Sequence, residues 1–157
     1  KILFEIFKTP SIGLRFFNIY GPGQQSNSPY SGVIPIFINR MLKRQPIIIN
    51  GGFQTRDFVY VQDVVNILQK LMSKIQKQKT SKIFNFGTGR SVKIDFLFKL
   101  IKENLRVNPK IIRRKLDKFD PKRSTGTNKK IFQYLNIKKY NFTKLENGII
   151  KTINSKK

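Results

Sequence analysis

The chain has 157 residues and a formal net charge of +24, from 32 Lys and Arg against 8 Asp and Glu. A hydrophobic content of 39% is enough for one folded domain with a core, and no apolar run approaches the roughly 20 residues of a membrane span. Because the sequence contains no cysteine and no histidine, it excludes disulfides, thiolate chemistry and sites built on histidine. The first residues, KILFEIFKTPS, lack the features of a signal peptide, and we expect a cytoplasmic protein without a membrane partner.

The excess of basic residues allows two interpretations. One is a nucleic-acid binder held by phosphate contacts. The other is compositional drift, because alanine is absent while Lys, Ile, Asn and Phe, which have A/T-rich codons, are abundant. The lysines run from Lys1 to Lys157 without one dense block, and we favour drift. We therefore expect no specific nucleic-acid partner, although such a charge attracts polyanions at low salt.

Hydrophobic periodicity predicts alternating helices and strands in the first half of the chain. The predicted elements are the end of a helix at 1–7, a buried strand at 12–17, a loop at 18–31, a helix at 33–42 and a strand at 47–49. Gly51 and Gly52 form a turn, and a short strand follows at 57–61. An amphipathic helix at 64–75 ends in a connector rich in lysine and glutamine, 74–82.

The second half continues the alternation. We predict a strand at 83–86, a turn at 87–89, a helix at 94–105, a strand at 110–115, a polar loop at 117–126, a short helix from its N-cap Thr127 through Leu135 and a closing helix at 143–153. Strands that alternate with helices in this way indicate an α/β fold.

Five segments together carry a family resemblance. They are LRFFNIYGPGQ (14–24), GVIPIFINRML (32–42), GGFQTRDFVYVQDVV (51–65), FNFGTGRSVKI (84–94) and LENGIIKTI (145–153). In order and spacing the chain resembles the C-terminal half of the extended short-chain dehydrogenase/reductases, in particular the NAD-dependent nucleotide-sugar epimerases and dehydratases of the UDP-glucose 4-epimerase type.

The resemblance implies a division of the chain into two sides. One is the last part of a parallel sheet in an NAD-binding Rossmann fold, to which we assign residues 1–20 and about 57–90. The other is a small α/β domain that closes over a nucleotide-sugar, to which we assign about 21–56 and 91–157.

The resemblance also assigns binding roles. Asn18 follows a strand that ends where open α/β sheets bind ligands, and we expect a ligand, rather than protein, to satisfy its amide at the diphosphate or sugar. Phe17 is expected on the nicotinamide side of NAD. Arg56 is expected to bind the diphosphate, because a guanidinium offers forked donors that match phosphate oxygens. Val33 is expected near the nucleotide through its backbone. The plain alternatives are an Asn18 that caps a turn and an Arg56 that pairs with Asp57 or is solvated.

The loop DKFDPKRSTGTNKKI departs from the family pattern. Asp120 stands at the family's acidic position and is expected to contact the substrate. Arg123 fits a common variant of the loop, Asp-Pro-Lys-Arg, and is expected to take over a contact to a phosphate or the ribose. Asp117 stands where the family often has arginine, and Thr127 where a helix-opening aspartate is usual. These departures concern the nucleotide end of the site.

We interpret three further features as structural rather than functional. Asp57 is expected to cap or pair locally, and Asp63 to be the N-cap of the next helix. The turn Gly87-Thr88-Gly89 is not a dinucleotide fingerprint, because that motif needs G-x-G-x-x-G opening a helix after the first strand of a βαβ unit.

The family's chemistry uses a Tyr-x-x-x-Lys pair one helix before the segment at 14–24, in which the lysine lowers the pKa of the tyrosine. No such pair stands there, and Tyr134 and Lys138 have the spacing at the wrong place in the chain. We assign no catalytic residue and expect a C-terminal portion without epimerase or dehydratase turnover of its own. We also expect a compromised fold, because strands without their sheet neighbours expose apolar surface.

Other readings stay open. A decarboxylase or a reductase on the same scaffold fits the same segments, and a basic, non-catalytic nucleic-acid-binding fragment is the alternative from another class. For the full-length parent the resemblance implies NAD as cofactor, a nucleotide-sugar substrate and a homodimer formed through the helix that ends at residues 1–7.

Overall fold

The computed structural model describes residues 2–28, 30–75 and 81–156, with the backbone alone described at 2–4. Most of the predicted connector at 74–82 lies outside these ranges. The elements in chain order are α1 (Ile2–Phe7), β1 (Ile12–Phe16), β2 (Asn18–Tyr20), α2 (Val33–Leu42), β3 (Ile47–Asn50), β4 (Thr55–Arg56), β5 (Phe58–Tyr60), α3 (Val61–Ile75), β6 (Lys82–Phe86), β7 (Val92–Lys93), α4 (Ile94–Leu105), β8 (Ile111–Arg114), β9 (Arg123–Ser124), α5 (Lys129–Leu135) and α6 (Leu145–Asn154). Over the described ranges, no helix combines the length and apolarity needed to cross a bilayer.

The strands β1 and β2 change partner between Phe17 and Asn18. β1 runs parallel to β6, and the Phe17 N–H donates to the Phe86 carbonyl at 3.3 Å. The Asn18 N–H then donates to the Asp57 carbonyl at 3.0 Å, and β2 continues parallel to β5. The predicted loop at 18–31 is therefore wrong in its first three residues, which form a strand beside β5.

Two further sheets complete the architecture. β3 pairs parallel with β8. β4 lies between β7, which is antiparallel to it, and β9, which is parallel. The short strand β9 lies within the segment 117–126 that we predicted as loop, and the Thr55 N–H donates to the Lys122 carbonyl at 3.0 Å just before it. This pairing brings the late loop beside the strand that carries Arg56.

Two hydrophobic clusters form the core, and β5 contributes to both. Phe58 and Tyr60 lie in the cluster built from α2, β3, α4 and α6, whereas Val59 lies in the cluster of α3, β6 and α5. Successive side chains of a strand face opposite sides, so this three-residue strand is buried on both faces. Ile131 of α5 belongs to the second cluster, so α5 packs on the sheet side, although our proposed division placed residues 91–157 on the substrate side.

Two predicted helix caps are wrong. α3 begins at Val61, so Asp63 lies in its first turn. There the buried carboxylate accepts hydrogen bonds from the Thr143 N–H at 2.9 Å and the Tyr140 hydroxyl at 3.2 Å. The cap position of α5 is held by Asn128 instead of Thr127. In both cases the polar residue is close to the helix start, but the backbone turns into the helix at a neighbouring residue.

Apolar side chains are exposed on the sheet side. Ile83 of β6 is 49% exposed and Met72 of α3 is 68% exposed. Val65 and Leu68, at helical spacing from Met72, are also exposed. Ile83 faces the opposite side of β6 from Phe84 and Phe86, which pack in the cluster of α3 and α5, so these apolar side chains are exposed at separate places.

Candidate functional site

One cleft collects four of the five side chains predicted to bind substrate. Its volume is about 340 Å³, and it is lined by residues from β2, α2, β3, β4 and the loop before β9. The predicted residues among them are Asn18, Val33, Arg56 and Asp120. They are up to about 100 positions apart in the sequence, and the parallel pairing of β2 with β5 and of β4 with β9 brings them together.

Arg56 is held by the wall of this cleft. Its Nη2 forms an ion pair with the Asp120 carboxylate, and its Nη1 donates to the carbonyls of Thr55 and Pro121, both at 2.8 Å. The side chain is 12% exposed. Neither plain alternative applies, because its partner is Asp120 rather than Asp57 and it is not solvated. An anion in the cleft therefore meets an oriented guanidinium whose charge Asp120 already partly balances.

The Asn18 amide is only partly free for a ligand. Its Nδ2 donates to the Asp57 carbonyl at 3.2 Å, so the expectation that a ligand alone satisfies this amide is wrong. The amide oxygen, as assigned, has no hydrogen-bond partner among the described residues. An acceptor suits a sugar hydroxyl better than a phosphate, whose oxygens have no proton to donate at neutral pH.

Asp57 fixes the wall behind the cleft. Its carboxylate is fully buried and accepts hydrogen bonds from the backbone N–H groups of Thr88 at 3.0 Å, Gly89 at 2.9 Å and Gly126 at 3.0 Å. The Thr88 hydroxyl also donates to it. The predicted local role is wrong, because these partners lie in the turn after β6 and in the segment after β9.

Comparison with known proteins decides the family. The sequence profile of the NAD dependent epimerase/dehydratase family matches residues 5–87, which is more than half of the chain. The chain belongs to this family.

Individual relatives agree with the assignment. The chain is 45% identical over 93 residues to a putative UDP-glucose 4-epimerase of Methanocaldococcus jannaschii, covering 59% of this chain and 28% of that protein. It is 38% identical over 96 residues to a dTDP-4-dehydro-6-deoxyglucose reductase of Escherichia coli, covering 60% and 29%. The matched segments thus span less than a third of the length of these relatives.

A solved structure confirms the α/β class. The crystal structure of UDP-glucose 4-epimerase from Thermotoga maritima with UDP-glucose superimposes with a TM-score of 0.85 at 30% identity. The match covers 98% of this chain and 48% of that one. The described fold is therefore that of about half of a nucleotide-sugar enzyme of this family.

Two described features bear on the predicted contact with NAD. The N–H groups of Thr88 and Gly89 point to the Asp57 carboxylate, so the turn 87–89 offers no cradle for phosphates, as we predicted for this turn. Phe17 is half-buried, and a Cβ added at Gly126 would come within 2.6 Å of its ring. The ring is wedged between chain segments, and its place beside a nicotinamide stays a prediction.

Arg123 is not brought to the cleft. It lies exposed in β9 and is not among the residues that line the cleft. Gln54, which sequence reasoning missed, does line it. This buried amide accepts from the Gly52 N–H and donates to the Asn50 carbonyl, both at 2.7 Å. Gln54 lies in the segment GGFQTRDF, two residues before Arg56, and this position could have indicated a place in the site. The spacing of apolar residues did not indicate that Gln54 is buried.

Two tyrosines of the described part of the chain have a raised pKa. Burial is the main cause that raises the pKa of Tyr20 far above its usual value, with Asp63 adding to it. Burial also raises the pKa of Tyr140. Both phenols therefore stay protonated at neutral pH.

Proposed function

We propose that this chain is the nucleotide-sugar-binding portion of an NAD-dependent epimerase or dehydratase, and that the cleft lined by Asn18, Val33 and Arg56 holds the diphosphate and sugar of the substrate. The observation that carries the proposal is the oriented, 12% exposed guanidinium of Arg56 in a cleft of about 340 Å³. A fixed guanidinium binds a diphosphate with little loss of side-chain freedom.

The first turn of α2 supplies a second attraction for an anion. Val33 is its first residue, and Gly32 before it provides no side-chain cap. The first N–H groups of a helix lack partners within the helix, and the helix dipole favours negative charge there. A diphosphate between Arg56 and this helix end meets positive electrostatic potential from both sides.

The nucleoside and the sugar take the remaining walls. Ile48, Ile49 and Asn50 of β3 line the cleft, and β3 pairs with β8 along one edge. We propose that backbone groups of β3 read the edge of a uracil or thymine base. The Asn18 amide oxygen accepts from a sugar hydroxyl. Because backbone groups recognise the base in this proposal, the side-chain sequence of β3 does not indicate which base is bound.

The complete protein is proposed to use NAD and to bind it mainly through residues outside this chain. The relatives differ in chemistry, since the chain matches both a putative epimerase and a reductase over more than half of its length. Epimerase or dehydratase activity, a homodimer formed through α1 and a cytoplasmic location stay predictions. The portion described here is proposed to bind substrate without turning it over.

Calorimetric titration of the 157-residue chain tests the binding proposal. We expect UDP-glucose or dTDP-glucose to bind more tightly than UMP, which carries one phosphate. Arg56→Ala is expected to lose at least tenfold in affinity, and Arg15→Ala on the exposed face of β1 is the matched control. Equal binding by wild type and Arg56→Ala, with both shown to be folded by circular dichroism, would overturn the proposal.

A further inference from the structure

A second, larger cleft lies next to the first. Its volume is about 720 Å³, and it runs between the turn at Gly51 to Phe53 and the segment 113–122. Asp120 lines both clefts, so the Arg56–Asp120 ion pair stands at their boundary. We call this second space the basic cleft. The proposed nucleotide-sugar site does not use it.

The basic cleft carries charge that the described part of the chain does not balance. Its basic lining residues are Arg113, Arg114, Lys115, Lys118 and Lys122, all exposed. Arg113 forms an ion pair with Asp95 at 3.0 Å. Within the described ranges, the other four side chains form no ion pair with a carboxylate. Asp120 is engaged by Arg56, which leaves Asp117 as the remaining carboxylate of the lining.

Two exposed aromatic rings lie at or beside this cleft. Phe53 lines the cleft and is 56% exposed, whereas Phe119 lies in the segment 113–122 outside the lining residues and is 83% exposed. The Lys118 ammonium lies 4.9 Å from the centroid of the Phe119 ring. Exposed rings flanked by cations are the arrangement on which unpaired bases stack while phosphates meet lysine and arginine.

We propose that the basic cleft binds single-stranded nucleic acid without sequence preference. The phosphates contact Arg114, Lys115, Lys118 and Lys122, and bases stack on Phe53 and Phe119. No Asn or Gln is among the described residues that line the cleft, and these are the side chains that read base edges most directly. An acidic peptide would match the charge but would provide no bases to stack on the two rings.

The first test separates the basic cleft from the general positive charge of the chain. Fluorescence anisotropy with a labelled twelve-residue oligothymidine measures the affinity of the full chain and two variants. The cleft variant replaces Arg114, Lys115, Lys118 and Lys122 with Gln. The control replaces the four exposed lysines at 129, 130, 138 and 139 with Gln, so both variants lose the same charge.

We expect the cleft variant to lose at least tenfold in affinity and the control less than threefold. The slope of log affinity against log salt should become shallower by about 3 in the cleft variant, since each phosphate contact on a single strand contributes about 0.7. Equal losses in both variants would show diffuse attraction to the whole surface and would overturn the proposal.

The second test asks whether bases are recognised. Phe53→Leu with Phe119→Leu should weaken oligothymidine binding about fivefold or more, while binding of inorganic polyphosphate of the same length stays unchanged. Polyphosphate that binds the wild type as tightly as oligothymidine, or polyglutamate that displaces oligothymidine at equal charge, would overturn the nucleic-acid assignment. UDP-glucose binding by the cleft variant is measured in parallel. This measurement distinguishes failure of the nucleic-acid proposal from failure of the proposed nucleotide-sugar function.

Discussion

The Asp57 carboxylate accepts a hydrogen bond from the Gly126 N–H, 69 positions along the chain, at 3.0 Å. The same carboxylate holds Thr88 and Gly89, and the Asp57 carbonyl accepts from the Asn18 side chain. One buried residue thus connects the strand that carries Arg56 to the turn after β6 and to the segment after β9. The shape of the candidate site depends on this connection.

Asp57→Asn is expected to destabilise the chain by about 2–3 kcal/mol, because a neutral amide accepts more weakly and brings an NH₂ group toward backbone donors. Urea denaturation monitored by circular dichroism measures the change. Asp117→Asn, at an exposed carboxylate, is the control and should shift stability by less than about 0.5 kcal/mol. A similarly small effect at Asp57 would contradict the role assigned to it.

Gly148→Ala tests the contact between α6 and β2. A Cβ at Gly148 would overlap the Tyr20 hydroxyl and lie 2.8 Å from Cζ of that ring. We expect a net loss of about 1–2 kcal/mol, since overpacking costs about 1–3 kcal/mol and better helix propensity returns up to about 1. Gly13→Ala, where the nearest side-chain atom is 3.5 Å away, should lower the melting temperature less. Tyr20→Phe in the same chain should recover part of the loss.

Alkaline pH should destabilise the chain through Tyr20. Its pKa is raised in the folded state, mainly by burial, so above about pH 10 the unfolded chain loses the phenolic proton while the folded chain keeps it. The unfolded state then binds fewer protons, and stability falls by up to about 1.4 kcal/mol per pH unit. Tyr20→Phe should flatten this decline between pH 10 and 12 in urea titrations. Parallel slopes in the two proteins would show that Tyr20 does not contribute.

The exposed apolar side chains of the sheet side should cause self-association. Ile83 and Met72 are 49% and 68% exposed, and exposed apolar area favours contact between copies of the chain. Light scattering should show association that rises with concentration, and Ile83→Thr with Met72→Lys should reduce it without lowering the helical signal. A monodisperse wild-type monomer with a sharp, reversible thermal transition would contradict this expectation and the compromised fold predicted from sequence.

Sequence patterns predicted the long helices and the α/β class, because periodicity over ten or more residues reports which face is buried. The strands β2, β4, β7 and β9 have two or three residues, too few to establish a period, and were missed, whereas the equally short β5 was predicted from the alternation over 57–61. The ligand-facing roles of Asn18 and Arg56 rested on family resemblance, and the structure adds their protein partners. Those partners, Asp57 and Asp120, are set by strand pairing between distant segments, which local spacing does not encode. Arg123 fitted a loop pattern, but its strand holds it outside the cleft.

Asp120→Asn separates two roles that this carboxylate can have. As a counter-ion it competes with a diphosphate for the Arg56 guanidinium, and removing its charge should tighten the binding of inorganic pyrophosphate severalfold at low salt. If Asp120 also contacts the nucleoside of the substrate, its replacement should give UDP a smaller gain in affinity than pyrophosphate. Calorimetric titration of both ligands measures the two effects.

Asp117→Asn is the matched control for that experiment, because it removes the same charge from the basic cleft without touching Arg56. Asn retains the oxygen that meets Nη2 of Arg56, so the guanidinium should stay oriented in Asp120→Asn. If the substitution instead weakens pyrophosphate binding as much as Arg56→Ala does, the charge of Asp120 is needed to hold the guanidinium in place. Asp120 would then be a positioning residue for Arg56 rather than its competitor.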